Sequence, residues 1–356
     1  MIMVLFFISS TTAVVAPKIQ PVSNQTVTND VEALISHRFE QAPYLLIFLS
    51  PQYYNDVTII SKIKQYQEII SLSPRWNSQL ILLSEQTNHP DHIDIMIEKH
   101  EQSMNLTACL FIGEDISYPI KTTFQNINKL NLSMWSTISA SPEARKSKRI
   151  CISLLYPTPS ASYDQKRSEL INTLNRFIKK RMLSFENKAT IIEQPSLARY
   201  SKTYYQQLTQ KYNAKYYQHI NSTQFISLLQ TTQDLICIHG HGQPNMVQLP
   251  GSMKLTSRFA SHLSTTMLAI DGCYTDSVFT NQSTNDLPFL STLCRSETMH
   301  IGLFGLLSQQ TSTNPSNVIN TILLDLNHHK TIAEAINDAQ ISFDFVLTGD
   351  PTFLLN

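Results

Sequence analysis

Two short stretches of the chain hold residues able to do chemistry. In DLICIHGHG, Asp234 to Gly242, an apolar block runs into His239-Gly240-His241-Gly242. In TMLAIDGCYT, Thr266 to Thr275, another apolar block runs into Asp271-Gly272-Cys273. The chain has only eight glycines in 356 residues, and three of them, Gly240, Gly242 and Gly272, fall here. A thiol with a pKa of about 8.5 is mostly protonated at neutral pH. A neighbouring imidazole can favour the thiolate and later protonate a leaving amine. Backbone N–H groups at a glycine-framed turn can hold an oxyanion, and Gly242 and Cys273 are the candidate donors. Cys273 is the candidate nucleophile, and either His239 or His241 could be the acid–base. A His-x-His pair could also chelate zinc with Cys273, but no fourth ligand is apparent.

For that chemistry the two apolar blocks must be neighbouring strands of a parallel sheet, so that both side chains emerge beyond the carboxyl ends. The rest of the chain fits such a sheet. Tyr44 to Ser50 reads as a buried strand, and Val57 to Ile70 spaces Ile59, Ile60, Ile63, Tyr66, Ile69 and Ile70 along one helix face. Strand Gln79 to Ser84, helix His92 to Met104 and strand Thr107 to Gly113 follow. The pattern lapses over residues 114–148, and the charged link Pro142 to Arg149 marks a subdomain boundary. It resumes with strand Ile150 to Tyr156, helix Asp164 to Lys180, strand Lys188 to Glu193, helix Lys202 to Lys211 and helix Thr223 to Leu229. Beyond the two blocks come helix Leu287 to Leu293, strand His300 to Leu306 and helices near Ser316 to Leu326 and Thr331 to Ile341. Strands alternating with helices predict an α/β fold.

Composition narrows the function. Lys plus Arg and Asp plus Glu each number 27, so the net charge is zero and a nucleic-acid partner is disfavoured. A 42% hydrophobic content supports a large core. Five cysteines without repeated spacing argue against a disulfide scaffold, and Cys109, Cys151, Cys237 and Cys294 lie in apolar runs where a thiol is buried and inert. The apolar opening over residues 1–16 resembles a secretory signal without its basic start, which places the protein outside the cytoplasm, and 17–42 reads as a linker. No later stretch reaches the ~18 apolar residues of a membrane span.

An apolar block ending in His-Gly, followed some thirty residues later by one ending in Cys, resembles the clan of caspases, legumains and separases. The chain is most similar there to the gingipain family of cysteine endopeptidases. Gly240-His241-Gly242 matches that family's Gly-His-Gly, and Cys273-Tyr274-Thr275 its Cys-Tyr-Thr-Gly. Ala42 to Gln67 resembles the family's opening strand and helix, Cys109 to Pro119 its strand ending in Gly-Asp and proline. Ile152 to Ile178 resembles its Gly-Arg-x-Pro segment and helix, and Phe345 to Leu355 its closing Leu-x-Gly-Asp-Pro strand. The resemblance implies a caspase-like three-layer α/β sandwich with a mostly parallel sheet, an N-terminal subdomain over 43–148 and a catalytic one over 149–356. It implies peptide hydrolysis by Cys273 and, 32 positions before it, His241, with Glu193, the acidic residue in TIIEQP, orienting the histidine. In that register His239 is a supporting residue, a control whose alanine variant keeps the activity that a His241 variant loses.

The departures are informative. Asp276 stands where the family often has Gly, Asp271-Gly272 replaces small apolar residues, and Ile152 to Ile178 lacks the Gly and Arg. Arginine-specific relatives carry an acid in the segment that here spans Gln194 to Gln233, which has no Asp or Glu. The expected preference before the scissile bond is therefore polar, aromatic or acidic. The partner is a protein or peptide substrate. The reaction requires no cofactor, a structural calcium stays open, and the sequence is silent on oligomeric state. Two alternatives remain: a catalytically dead relative serving as a binding module, and a separase-like protease of the same clan.

Overall fold

The computed structural model describes residues 42–73, 75–114, 116, 150–179, 182–183, 188–197, 206–243, 245–272, 287–305, 322–324, 330–338 and 345–355. The expected signal segment 1–16, linker residues 17–41, the link Pro142 to Arg149, and Cys273 lie outside them. The described residues belong to a compact unit, Ala42–Asn356.

Strand β1 (Tyr44–Leu49) is apolar throughout and buried from Leu45 onward, as expected of a strand covered on both faces. Helix α1 (Val57–Leu72) starts where the Asp56 carboxylate accepts the backbone N–H groups of Thr58 and Ile59. It buries Ile59, Ile63, Tyr66 and Ile70, the face marked by its spacing. There follow β2 (Asn77–Leu82), α2 (Pro90–Ser103), β3 (Leu106–Ile112), β4 (Cys151–Leu155), α3 (Tyr163–Lys179), β5 (Met182–Leu183) and β6 (Ala189–Glu193). A helix over 206–212, here α4, leads to β7 (Lys215–Tyr217) and α5 (Ser222–Gln230), which opens with an Asn221 and Gln224 capping box.

Then come β8 (Gln233–His239), β9 (Gly242–Gln243), β10 (Met246–Gln248), β11 (Lys254–Thr256), α6 (Ser257–Ala260) and β12 (Thr265–Asp271). The described chain closes with α7 (Thr292–Arg295), β13 (Ile301–Gly305), α8 (Ile332–Asp338), β14 (Phe345–Gly349) and β15 (Leu354–Leu355).

Ten strands form one sheet in the order β2-β1-β3-β4-β14-β13-β12-β8-β6-β7. Every neighbouring pair is parallel except β13 with β14, so the fold is α/β with a mixed, mostly parallel sheet. The single antiparallel pair divides the sheet into two blocks of opposite sense. Strand β4 joins the block of β1 to β3, pairing in parallel with β3. In the other block β8 and β12 are parallel neighbours, which is the condition the sequence set for a shared site.

Two expectations need correction. The stretch expected as a helix from Leu287 to Leu293 is a 3-10 turn, Phe289–Ser291, running into the one-turn α7. Pro288 is extended (φ −66°, ψ 153°), so helical turns begin only at Phe289, and Arg176 donates to the Leu293 carbonyl near the end of α7 at 2.7 Å. The sequence also gave no sign of the small antiparallel sheet β9–β10–β11, because strands of two or three residues carry no periodicity.

The seam between the blocks is fixed by Gly349-Asp350. Gly349 has φ 125°, and a Cβ there would stand 2.1 Å from the His300 carbonyl oxygen. The buried Asp350 carboxyl accepts from Tyr66 Oη at 2.6 Å, Thr352 N at 3.0 Å and Thr352 Oγ1 at 2.8 Å, tying α1 to the end of β14. The Gly-Asp-Pro motif is thus a turn, and also a clamp. Tyr66→Phe should lower unfolding free energy by about 1–3 kcal/mol. Gly349→Ala, which adds strain to the close contact, should cost more, and urea unfolding curves of the two variants check this order.

Candidate functional site

Strands β6, β8 and β12 lie side by side and end on titratable residues. Glu193 is the register partner of His239, and His239 that of Asp271. Partners in a parallel ladder point to the same face, so the three side chains form a row across the carboxyl edge. Glu193 Oε1 lies 3.2 Å from His239 Nδ1, and His239 Nε2 lies 3.9 Å from Asp271 Oδ2. Tyr216 Oη extends the row by donating to Glu193 Oε2. Glu193, His239 and Asp271 are all buried, with exposures of 0%, 4% and 3%.

The main chain carries the ladder one step further. Gln194 N donates to the His239 carbonyl at 2.9 Å, and Gly240 N to the Asp271 carbonyl at 3.1 Å. Gly240 must be glycine because the chain of β10 crosses it: a Cβ would stand 2.3 Å from the Gln248 carbonyl oxygen. The next residue, His241, is exposed. Its N–H donates to Gln194 Oε1 at 3.1 Å, and its carbonyl accepts from Gln248 N at 2.8 Å. Gly242 starts β9, opposite Val247. The backbone around His241 is therefore held from β6 and from β10, while its ring is presented outward.

The candidate residues are distributed as follows. His241 and Gly242 sit at the carboxyl edge, immediately beyond β8. Cys273 lies outside the described residues, and the last described position before it, Gly272, is buried at the end of β12. Glu193 is in place, but the histidine it contacts is His239, not His241. Asp271, Gln194 and Tyr216 were not singled out as site residues from sequence. A usable signal did exist for the first: ATIIE, QDLICIH and TTMLAID are apolar strands that each end on a titratable side chain.

Burial shapes the chemistry. It pushes the Asp271 carboxyl up; the nearby His239 pulls it down and Glu193 pushes it up again, leaving it above the usual carboxylate range. Among the described residues Asp271 Oδ2 has no hydrogen-bond partner. Burial, together with the bond to Glu193, drives the Tyr216 phenol far up, so it stays a neutral donor. The four described thiols, Cys109, Cys151, Cys237 and Cys294, are buried and form no disulfide. Burial pushes Cys294 up to about 12 and Cys109 and Cys151 well up, which leaves them poor nucleophiles. Among the described residues no group of three or more His, Cys, Asp and Glu is arranged to hold a metal ion, and no helix is long and apolar enough to cross a membrane.

No protein-family model matches the chain, and no curated protein matches it. A solved structure described as "Structure of Protease" is similar in fold, with a TM-score of 0.56 at 12% identity, covering 88% of this chain and 78% of that one. At this identity the likeness establishes a shared α/β fold with a protease.

The raised Asp271 carboxyl has a signed consequence for stability. An unfolded aspartic acid loses its proton near pH ~4, whereas the folded one holds it to higher pH. Between those values the folded state carries the extra proton, so stability falls as pH rises through the window and stays reduced above it. The isosteric Asp271→Asn removes that loss. Urea midpoints taken from about pH 4 to pH 8 should show the variant gaining on wild type as pH rises. A difference that stays flat or shrinks refutes this account of Asp271.

Proposed function

We propose that the chain is a cysteine endopeptidase with a caspase-like, gingipain-type catalytic region, secreted by way of its N-terminal segment. One observation carries the reading. The β8–β12 register runs at a constant step of 32, from Gln233 with Thr265 to His239 with Asp271, and 32 is also the step from His241 to Cys273. The same-face pairing that aligns His239 with Asp271 is the arrangement that a histidine and a cysteine two residues further on require. The fold shared with a protease is consistent with this.

In this reading Cys273, as thiolate, attacks the scissile carbonyl while His241 holds the thiol proton. The N–H groups of Gly242 and Cys273 stabilise the tetrahedral oxyanion. Collapse of the adduct breaks the peptide bond as His241 protonates the leaving amine, and water, deprotonated by His241, releases the acyl group. Glu193 supports the histidine strand from one step inside, through His239. A second reading makes His239 the acid–base, because Glu193 Oε1 meets its Nδ1 at 3.2 Å, the relation by which a carboxylate orients a catalytic imidazole. Its 4% exposure weighs against contact with substrate, whereas His241 is exposed.

Incubation with an unbiased peptide library and a thiol-reactive peptide probe tests the proposal. Cys273→Ala should abolish both cleavage and labelling, and His241→Ala should lower kcat by about 10³-fold or more. Wild type and Cys273→Ala behaving alike would instead favour a binding module. Cleavage should follow polar, aromatic or acidic residues, as the absence of Asp and Glu from Gln194 to Gln233 implies. Efficient cleavage after arginine would sink that part.

A further inference from the structure

Asp271 is an expensive residue for folding alone. It ends a strand whose other residues are buried, and among the described residues its Oδ2 has no hydrogen-bond partner. A buried polar atom left without a partner destabilises the fold. Its nearest titratable neighbours along the edge are His239 from β8, at 3.9 Å, and beyond it Glu193 from β6. At 3.9 Å the Nε2–Oδ2 contact is an ion-pair distance and not a hydrogen bond, so a small relative shift of the two strand ends makes or breaks it. Those ends lead within two residues to His241 and Cys273.

We propose that Asp271 and His239 form a positioning pair that holds the ends of β12 and β8 in the alignment the reaction needs. This rests on the peptidase reading above. Glu193 anchors the imidazole from one side, with Tyr216 in turn holding Glu193, while Asp271 takes the other. The backbone bond from Gly240 N to the Asp271 carbonyl, 3.1 Å, fixes the same two strand ends along the main chain. The side-chain pair adds lateral alignment, at a cost in stability, to the positions from which the reacting groups depart. His239 then ceases to be a neutral control: its removal slows turnover even though it does not touch substrate.

The test is a double-mutant cycle in the full-length chain, with Asp271→Asn, His239→Gln and both together. A peptide taken from the library screen serves as substrate, and kcat, KM and the urea midpoint are measured separately. Each single variant should lower kcat by about tenfold or more with KM within about twofold, as misplacement of reacting groups does. The double variant should be no slower than the slower single, because the two residues act as a unit. The midpoint of Asp271→Asn should equal or exceed that of wild type, so that slower turnover accompanies unimpaired stability. The proposal is overturned if Asp271→Asn keeps wild-type kcat, if the two losses multiply, or if the loss follows a lowered midpoint. Loss of turnover in His239→Gln with full turnover in Asp271→Asn also overturns it, and makes His239 the acid–base. Should His239→Gln fail to fold, the isosteric Asp271→Asn decides alone. A wild type inert to every peptide and labelled no better than Cys273→Ala would instead remove the peptidase reading itself, and the pair with it.

Discussion

The parallel pairing of β8 with β12 is the constraint on which the candidate site depends. Each strand is short and apolar, and buried strands of this kind are placed by packing more than by polar contacts. The constant register converts two distant sequence positions into one edge. Glu193 on β6 extends that edge by another strand. Around it, Gly240 allows β10 to cross at a distance no side chain would permit, and Gln194 holds His239 through its backbone N–H and His241 through its side-chain oxygen. The histidine loop is thus specified by residues from three directions, while its ring is left in solvent.

Polar chemistry in this block is confined to the ends of the strands. The interior of β8 and β12 is filled by residues such as Leu235, Ile236, Ile238, Leu268 and Ile270, with Cys237 as one more small apolar side chain. Buried charge in that interior would be costly. At the carboxyl edge the cost is moderated because the groups face one another: a carboxylate, an imidazole and a second carboxyl in a row, with a phenol at one end. Asp271 is the least satisfied of them.

Much of this was legible in the sequence, for identifiable reasons. Runs such as YLLIFL and LICI are too apolar and too short to be anything but buried strands, and the α1 face follows from isoleucines spaced around one side. Glu193, His241 and Gly242 could be placed at strand ends because each follows such a run. The partner of Glu193 could not be read: two histidines separated by one glycine look equivalent until burial distinguishes them. His239, in register with Glu193, points inward, and His241 lies beyond the crossing of β10, facing out. Likewise the departure at Asp271 was visible as an odd residue, but its meaning depends on a cross-strand neighbour 32 positions away. The β9–β11 sheet left no trace because its strands of two or three residues are too short to show a periodicity, and the link from β10 to β11 turns at Gly251, with φ 72°.

The reversal of sense between β13 and β14 separates two kinds of surface. The block of β1 to β4 sends its carboxyl ends to the opposite side of the sheet from His239 and Asp271, so loops there can change in length or charge without entering the candidate site. Communication between the two edges would have to cross the seam. There Gly302 faces Thr348 and Gly349 faces Ile301, with Gly349 leaving no room for a methyl group against the His300 carbonyl. Backbones in that close an embrace move together or not at all. The described sheet therefore has two rims facing opposite ways, and only one of them carries the row of Glu193, His239 and Asp271.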